Sequence, residues 1–504
     1  MKQEQYSAVA LWDSIVDAAP THAPPTTIPT GVGLRRSRAG DLERLLYPRA
    51  VAVVGASSRP TSPSGRPVKF LVDNGFTGRL YPVNPSHREI MGFRAYPTVR
   101  DLPEPVDVAV IAVPAAGVLS ALEDCRTAGV PFAIVLSSGF AETGVAGAKA
   151  ETAIAGLTED GLLRVLGPNC EGLCNVGDRL PLTFSPVIDR GLERLPAGRK
   201  IAVVSQSGGL GFALFDHGLA RGQPFSHIVS TGNECDLEAL EVCAALGDDD
   251  DTSVVCLIFE GLRAPAQLRG VSELLARSGK HLLALKLGTS GSGCRATLRH
   301  TAHDAGDSAE YSVLLRQYGV YECRSLSELL DAGHALSRSQ PVLGERVGII
   351  SSSGGAGTLL ADECERQGLE VPELSKVLQS QVAATMPAFG SPLNPIDITA
   401  QAVWGGGFAA CVETLGGSGE VDVVALVTSL TVPGRLESEL EALQSTINAL
   451  AIPVIVYSYT DPHPDAIRLL GDLGVPLFAS ASASGHAVRA LLWAGRHPAG
   501  VPPD

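Results

Sequence analysis

The sequence predicts an α/β fold built on parallel sheets, and three observations support this. First, apolar runs of strand length recur along the chain, and segments of helix length separate them. Second, most of these runs end in Gly, Ser, Pro or Asn, which suits tight turns from a buried strand into a helix. Third, the composition fits such a fold, with 55 glycines and 5% aromatic residues among 504.

The composition also limits the possible functions. A hydrophobic fraction of 45% with 18% charged residues is enough for sizeable cores, and the length suggests about three domains. A net charge of −15 argues against a nucleic-acid-binding surface. Ten cysteines without CxxC pairs favour a reducing cytoplasm. No apolar run reaches membrane-spanning length. Asp13 and Asp17 stand where a signal peptide would need an uninterrupted apolar segment. We therefore expect a cytoplasmic protein that binds neither membrane nor nucleic acid.

The first predicted domain, residues 41–195, follows a tail and Pro/Thr-rich linker at residues 1–40. Its strands are AVAVVGASSRP (50–60), LYPVNP (80–85), VDVAVIAVP (106–114) and PFAIVLSSGF (131–140). Amides in the first of these loops, at Gly55, Ser57, Ser64 and Gly65, can face a nucleotide phosphate at a helix N-terminus. A purely structural turn explains this loop equally well. The three-glycine dinucleotide fingerprint is absent, and VNP follows the second strand where NAD-binding proteins carry an acidic residue. These features disfavour an NAD-dependent oxidoreductase.

The second and third predicted domains, residues 196–340 and 341–504, each begin with a strand, a Gly/Ser loop and a helix. KIAVVSQSGGLG aligns with RVGIISSSGGAG at a constant offset, which places Ser205 on Ser351. Amides at a helix start favour an anion, so two such loops can hold a phosphoryl group from opposite sides. A gene duplication with one working copy also explains the repeat. The predicted phosphate-binding residues are Ser205, Gln206, Ser207, Gly208, Gly209, Ser351, Ser352, Ser353, Gly354 and Gly355.

The candidate catalytic residues are His300 and Glu260. The run HLLALKLG predicts a buried strand that opens at Gly288 into a Gly/Ser-rich loop ending at His300. Another strand, SVVCLIFEG (253–261), ends in Glu260 at the same predicted sheet edge. Imidazole can act as base, metal ligand or nucleophile near neutral pH, and a neighbouring carboxylate can orient it and stabilise its charge. A surface histidine in a mobile loop and a solvated glutamate are the alternative interpretation.

A family resemblance runs in motif order from about Leu42 to the C-terminus. The motifs are VAVVGAS, YPVNP, SSGFAETG, GPNCEG (167–172), VSQSGGLG, STGNECD (230–236), KLGTSGSGCRATLRHT and NPIDIT (394–399). They resemble those of the NDP-forming acyl-CoA synthetases, relatives of succinyl-CoA synthetase that include ADP-forming acetate–CoA ligase. The resemblance implies a Rossmann-like CoA-binding domain followed by two flavodoxin-like succinyl-CoA-ligase domains.

The resemblance also implies roles for residues. His300 matches the phosphorylated histidine, and Glu260 matches the glutamate that holds it. The implied contacts to coenzyme A are Gly55, Ala56, Ser57, Ser64, Gly65, Val83, Asn84, Pro85, Val113, Pro114, Ser137, Ser138, Gly139, Phe140, Asn169 and Cys170.

The sequence departs from the family pattern in three respects. The family usually reads Ser-His-Thr-Gly, whereas this chain has Arg299, His300, Thr301 and Ala302, followed by a second imidazole at His303. No segment matches the family's nucleotide-binding ATP-grasp module. The resemblance therefore implies an α-type chain acting on a small carboxylic acid or acyl-CoA, with ATP or ADP and Mg²⁺ on a separate ATP-grasp β subunit, in an α2β2 assembly. No metal site is expected on this chain. A non-catalytic CoA-binding or regulatory protein of the same fold is the alternative.

Overall fold

The computed structural model describes residues 42–192, 198–300, 305–402, 407–432 and 440–498. The predicted tail, residues 1–40, lies outside the described residues. Over the described ranges three larger β-sheets alternate with helices, which confirms the predicted α/β class.

The first sheet contains five parallel strands. They are β1 (Ala50–Val54), β2 (Arg79–Val83), β5 (Val108–Ile111), β6 (Phe132–Val135) and β7 (Arg164–Leu166). Strands β3 (Glu89–Ile90) and β4 (Phe93–Arg94) form a separate small hairpin. The strand order is β2-β1-β5-β6-β7. The associated helices are α1 (Glu43–Leu46), α2 (Arg66–Asp73), α3 (Ala115–Thr127) and α4 (Val145–Thr158). Every residue of β1, β5 and β6 is buried, as expected where helices cover both faces of a parallel sheet.

The second sheet contains seven strands. They are β8 (Gly172–Asn175), β9 (Leu180–Thr183), β10 (Lys200–Ser205), β11 (Phe225–Ser230), β12 (Thr252–Phe259), β13 (His281–Lys286) and β14 (Tyr321–Cys323). Their order is β14-β13-β12-β10-β11-β8-β9, with β8 and β9 antiparallel to their neighbours. The helices are α5 (Gly208–Leu219), α6 (Ala239–Ala245), α7 (Gln267–Arg277), α8 (Gly291–His300), α9 (Ser308–Gln317) and α10 (Leu326–Arg338). Strands β8 and β9 thus lie in the second sheet, although the predicted first domain extended to residue 195.

The third sheet contains five parallel strands. They are β15 (Val347–Ser351), β16 (Ile396–Asp397), β17 (Val423–Thr428), β18 (Val454–Ser458) and β19 (Leu477–Phe478), in the order β16-β15-β17-β18-β19. The helices are α11 (Gly354–Arg366), α12 (Lys376–Ala383), α13 (Thr399–Ala402), α14 (Gly407–Gly416), α15 (Leu440–Ala449), α16 (Pro464–Asp472) and α17 (Ala481–Arg496). Helices α10 and α17 pack together, so one hydrophobic cluster extends over the second and third sheets.

Within the ranges that the structure describes, none of the helices is both long and apolar enough to cross a membrane.

Candidate functional site

The loop after β1 is built on two glycines that other residues cannot replace without strain. Gly55 has φ +84°, and a Cβ there would lie 2.7 Å from Val113 Cγ1. A Cβ on Gly65 would lie 1.9 Å from the Arg59 carbonyl oxygen. The backbone therefore folds tightly on itself at the carboxyl edge of the first sheet, where α/β proteins bind ligands.

Neighbouring loops complete an open cleft at this edge. Asn84 Nδ2 donates to the Ala56 carbonyl at 2.9 Å, and the Ser137 hydroxyl donates to the Val113 carbonyl. A cleft of about 280 Å³ is lined here by residues that include the predicted Gly55, Val83, Pro85 and Val113. The structure thus brings together predicted CoA contacts from three strand ends.

Other predicted contacts point elsewhere. Phe140 and Cys170 are each 2% exposed and belong to the hydrophobic core. The Cys170 thiol donates to the Val135 carbonyl at 3.4 Å, and burial raises its pKa to about 12. Asn169, with φ +55°, donates from Nδ2 to Asn233 Oδ1 of the second domain at 3.2 Å. A contact of Phe140 or Cys170 with a ligand in the cleft would therefore have to come from the backbone.

The two predicted phosphate loops share one internal contact. The Ser205 hydroxyl donates to the Ser207 carbonyl at 2.6 Å, and the Ser351 hydroxyl donates to the Ser353 carbonyl at the same distance. Helices α5 and α11 begin directly afterwards, so their first amides lie at the carboxyl edges of their sheets. The sequence repeat is therefore also a repeat in local structure.

Each of these helix starts has an acidic neighbour that the sequence analysis missed. A Cβ on Gly208 would lie 2.7 Å from Glu171 Cβ and 3.2 Å from Glu171 Oε2. A Cβ on Gly354 would lie 3.0 Å from Asp397 Oδ2. Burial raises the pKa of Glu171. Both residues stand in quoted motifs, GPNCEG and NPIDIT, but only the fold places them beside the helix N-termini.

Glu260 lies at the carboxyl edge of the second sheet, as predicted, and is 4% exposed. Lys286 Nζ donates to the Glu260 carbonyl at 2.7 Å and also to the Leu287 carbonyl. The same ammonium group lies 5.2 Å from the centre of the Tyr311 ring. The Tyr311 hydroxyl accepts the Leu262 amide at 2.9 Å. The turn that carries Glu260 is therefore held from several sides.

The segment that leads to His300 differs from the predicted loop. Helix α8 begins at Gly291, because Ser290 caps it: the Ser290 hydroxyl accepts the Gly293 amide at 3.1 Å and the Ser290 carbonyl accepts the Cys294 amide at 2.8 Å. His300 is the last residue of this helix. The structure does not describe the side chains of His300 and Arg299. Residues 301–304, which include Thr301, Ala302 and His303, also lie outside the described residues.

The first two domains meet beside α8, which packs against the turn Ala141–Thr143 of the SSGFAETG motif. Asn233 Nδ2, in the STGNECD motif, donates to Glu142 Oε2 at 2.7 Å and to Glu151 Oε2 at 2.8 Å. The backbone amide of Asn233 donates to the Pro168 carbonyl at 2.9 Å. These contacts attach the first domain to the domain that carries Glu260 and α8.

No group of three or more His, Cys, Asp or Glu side chains is arranged to hold a metal ion in the part of the chain that the structure describes.

Comparison with known proteins accounts for this arrangement. Family models match consecutive parts of the chain: a CoA binding domain at residues 49–175, a succinyl-CoA ligase like flavodoxin domain at 198–336 and a Ligase-CoA domain at 347–414. The chain is 34% identical over 365 residues to acetate–CoA ligase [ADP-forming] I subunit alpha of Pyrococcus furiosus, covering 72% of this chain and 77% of that one. The chain belongs to the NDP-forming acetate–CoA ligase family.

Two further relatives extend the similarity. Acetate–CoA ligase [ADP-forming] I of Archaeoglobus fulgidus is 33% identical over 456 residues, which cover 90% of this chain but 64% of that protein. This member of the family thus spans about two thirds of that longer relative. A solved structure from Ca. Korarchaeum cryptofilum, described as dinucleotide forming acetyl-coenzyme A synthetase 1 in complex with phosphate and ADP, has a TM-score of 0.79. It is 31% identical and covers 90% of this chain and 97% of that chain.

Proposed function

We propose that the chain is an α-subunit-like acyl-CoA synthetase (NDP-forming). It interconverts a carboxylate, CoA and ATP with acyl-CoA, ADP and phosphate, through an acyl phosphate and a phosphohistidine at His300. One observation carries the proposal. Helix α8, which ends at His300, starts from the sheet edge that presents Glu260 and packs against the Ala141–Thr143 turn. This turn belongs to the same SSGFAETG motif as Ser137, whose hydroxyl donates to the carbonyl of Val113 at the cleft.

The roles of the residues follow from this placement. Phosphate attacks the acyl-CoA carbonyl, the C–S bond breaks, and CoA leaves as acyl phosphate forms. A His300 ring nitrogen then attacks the phosphorus atom, the bond to the acyl oxygen breaks, and the carboxylate leaves. A covalent intermediate divides one difficult transfer into two easier ones. Amides at the starts of α5 and α11 stabilise the negative charge of the transferring group, and the Glu260 carboxylate orients the His300 ring and stabilises its positive charge.

We place the nucleotide, with its Mg²⁺, on a separate ATP-grasp β subunit in an α2β2 assembly. The support is the relative named subunit alpha, of which this chain covers 77%, and the longer relative, of which it covers 64%. The purified chain should therefore form no thioester from ATP until the β subunit is added. ATP-dependent acyl-CoA formation by this chain alone would contradict the division.

Phosphorylation of the chain tests the central step. Acyl phosphate should label the protein with a phosphate that is labile in acid and stable in base, as expected for a phosphohistidine. His300→Ala should abolish the label, and Glu260→Gln should slow its formation about 10–1000-fold, because the ring loses a charged orienting partner. His303→Ala is the matched control and should keep the label.

Two outcomes would contradict the assignment. If the label survives His300→Ala but disappears in His303→Ala, the nucleophile is the second imidazole. If neither acyl phosphates nor phosphoramidate, a general phosphorylating reagent for imidazole, label the wild-type chain, the chain is a non-catalytic CoA-binding protein of the same fold.

A further inference from the structure

A buried amide side chain fixes the turn that carries Glu260. Gln206 is 0% exposed, and its Oε1 accepts the Glu260 amide at 2.6 Å and the Gly261 amide at 3.2 Å. Its Nε2 donates to the Gly261 carbonyl at 2.7 Å and to Glu234 Oε2 at 3.0 Å. Both ends of the Gln206 amide are thus satisfied, and both of its groups contact the Glu260–Gly261 turn.

Glu234 determines which way this amide faces. Its carboxylate also accepts the Thr231 hydroxyl at 2.7 Å and the Ala239 amide at 2.9 Å. Because these donors and the Gln206 NH₂ group all point at the carboxylate, the Gln206 carbonyl oxygen must point at the two turn amides. A flipped Gln206 would place donor against donor at the two turn amides, and acceptor against acceptor at the Glu234 carboxylate and the Gly261 carbonyl.

The backbone at Glu234 is unusual as well. Glu234 is 2% exposed and has φ +58°, a conformation that costs free energy for a residue with a Cβ. An ionisable side chain in this position therefore costs free energy both through backbone strain and through the loss of hydration of its charge. A carboxylate meets the requirement of this network, because it only accepts hydrogen bonds and three donors point at it.

We propose that Gln206 and Glu234 are positioning residues for Glu260: the Glu234 carboxylate fixes the orientation of the Gln206 amide, and that amide sets the position of the Glu260 turn. The inference rests on the proposed function, since it assigns a chemical purpose to the geometry around Glu260. Misplacement of a reacting or orienting group by about 1 Å can cost about 100-fold in rate.

The charge on Glu234 makes this device sensitive to pH. Burial raises the pKa of Glu234 to about 7. Among the residues that the structure describes, the titratable groups that face it include Glu238, at the start of α6, and the Cys243 thiol within α6. Glu238 lies 3.9 Å from Arg263, measured between Oε1 and Nη1. Protonation would turn an acceptor of Glu234 into a hydroxyl donor facing the Gln206 NH₂ group, so the network requires the ionised form.

The test measures the rate at which acetyl phosphate labels the full-length chain, with phosphoramidate as the donor if acetyl phosphate does not label the wild type. Glu234→Gln should slow labelling about 10–100-fold, because its new NH₂ group opposes that of Gln206. The double variant Gln206→Glu with Glu234→Gln should recover part of this loss, because a donor again faces an acceptor. Gln223→Met, which changes another buried glutamine, should label at the wild-type rate.

The pH profile separates positioning from a general structural effect. Below about pH 6, the logarithm of the wild-type rate should rise with a slope of about two, because both His300 and Glu234 must lose a proton. Glu234→Gln should give a slope of about one. If Glu234→Gln does not fold, Gln206→Met with Glu234→Gln, which leaves no titratable group at either position, is compared with the wild type and should give a slope of about one.

Two results would overturn the inference alone: labelling of Glu234→Gln at the wild-type rate, or an unchanged slope in the variant that folds. If neither donor labels the wild-type chain while it still binds CoA, the proposed function fails, and the inference fails with it.

Discussion

Replacing Gly65 by alanine should weaken CoA binding without affecting the rest of the first domain. The new Cβ would lie 1.9 Å from the Arg59 carbonyl oxygen, so this oxygen must move by about 1 Å before the contact reaches 3.0 Å. Two bonds hold it in place, from the Ser62 amide at 3.1 Å and the Ser62 hydroxyl at 2.8 Å. Losing both costs about 1–3 kcal/mol, which corresponds to about a 5–150-fold higher Kd for CoA.

Titration calorimetry of the full-length chain with CoA measures this change. Gly156→Ala in α4 is the matched control, because a Cβ there has nothing within 4 Å. It should leave the Kd for CoA unchanged and raise the free energy of unfolding by up to about 1 kcal/mol, since alanine favours a helix over glycine. A Kd for Gly65→Ala within twofold of the wild-type value would show that this loop does not form the CoA site.

Two further predictions concern stability. Arg164 in β7 donates to both oxygens of Asp236 at 3.0 and 3.1 Å and to Glu241 at 3.0 and 3.1 Å. Arg164→Met would leave two carboxylates facing each other and should lower the free energy of unfolding in urea by about 3–5 kcal/mol, and an unchanged midpoint would contradict this. Burial lowers the pKa of His334 to about 3 and of His281 to about 4. Between about pH 6.5 and 4 the unfolded chain therefore binds protons that the folded chain does not, so stability should fall as the pH falls. The decline is measured as the fall in Tm with pH, and His334→Gln should make this fall less steep. If Tm falls equally steeply in the variant and the wild type, the lowered pKa of His334 is refuted.

The repeated loops show how far local sequence can be trusted. The fixed offset between VSQSGGLG and SSSGGAG predicted equivalent structures, and the hydroxyls of Ser205 and Ser351 make the same 2.6 Å contact. This agreement has a local cause. A serine three residues before the first residue of a helix can bond the intervening backbone whatever lies outside the loop.

The helix before His300 shows the opposite case. Its glycines and serines predicted a loop, because Gly and Ser are poor residues for a helix interior. In the structure the Ser290 cap and the tertiary position at the end of β13 outweigh this propensity. Propensity differences of about 1 kcal/mol per residue are smaller than the contributions of capping and packing combined.

The sequence by itself determined the α/β class, the three sheets and the strand ends at which Gly55, Ser205, Glu260 and Ser351 lie. These features depend on apolar runs and turn residues, which act over a few neighbours. Only the tertiary structure decided that β8 and β9 join the second sheet and that Glu171 and Asp397 lie beside helix starts. It alone showed that Gln206 connects Glu234 to the Glu260 turn, since these residues are 28 and 54 positions from Gln206. Such contacts depend on how distant strand ends meet, and no local pattern in the chain encodes that.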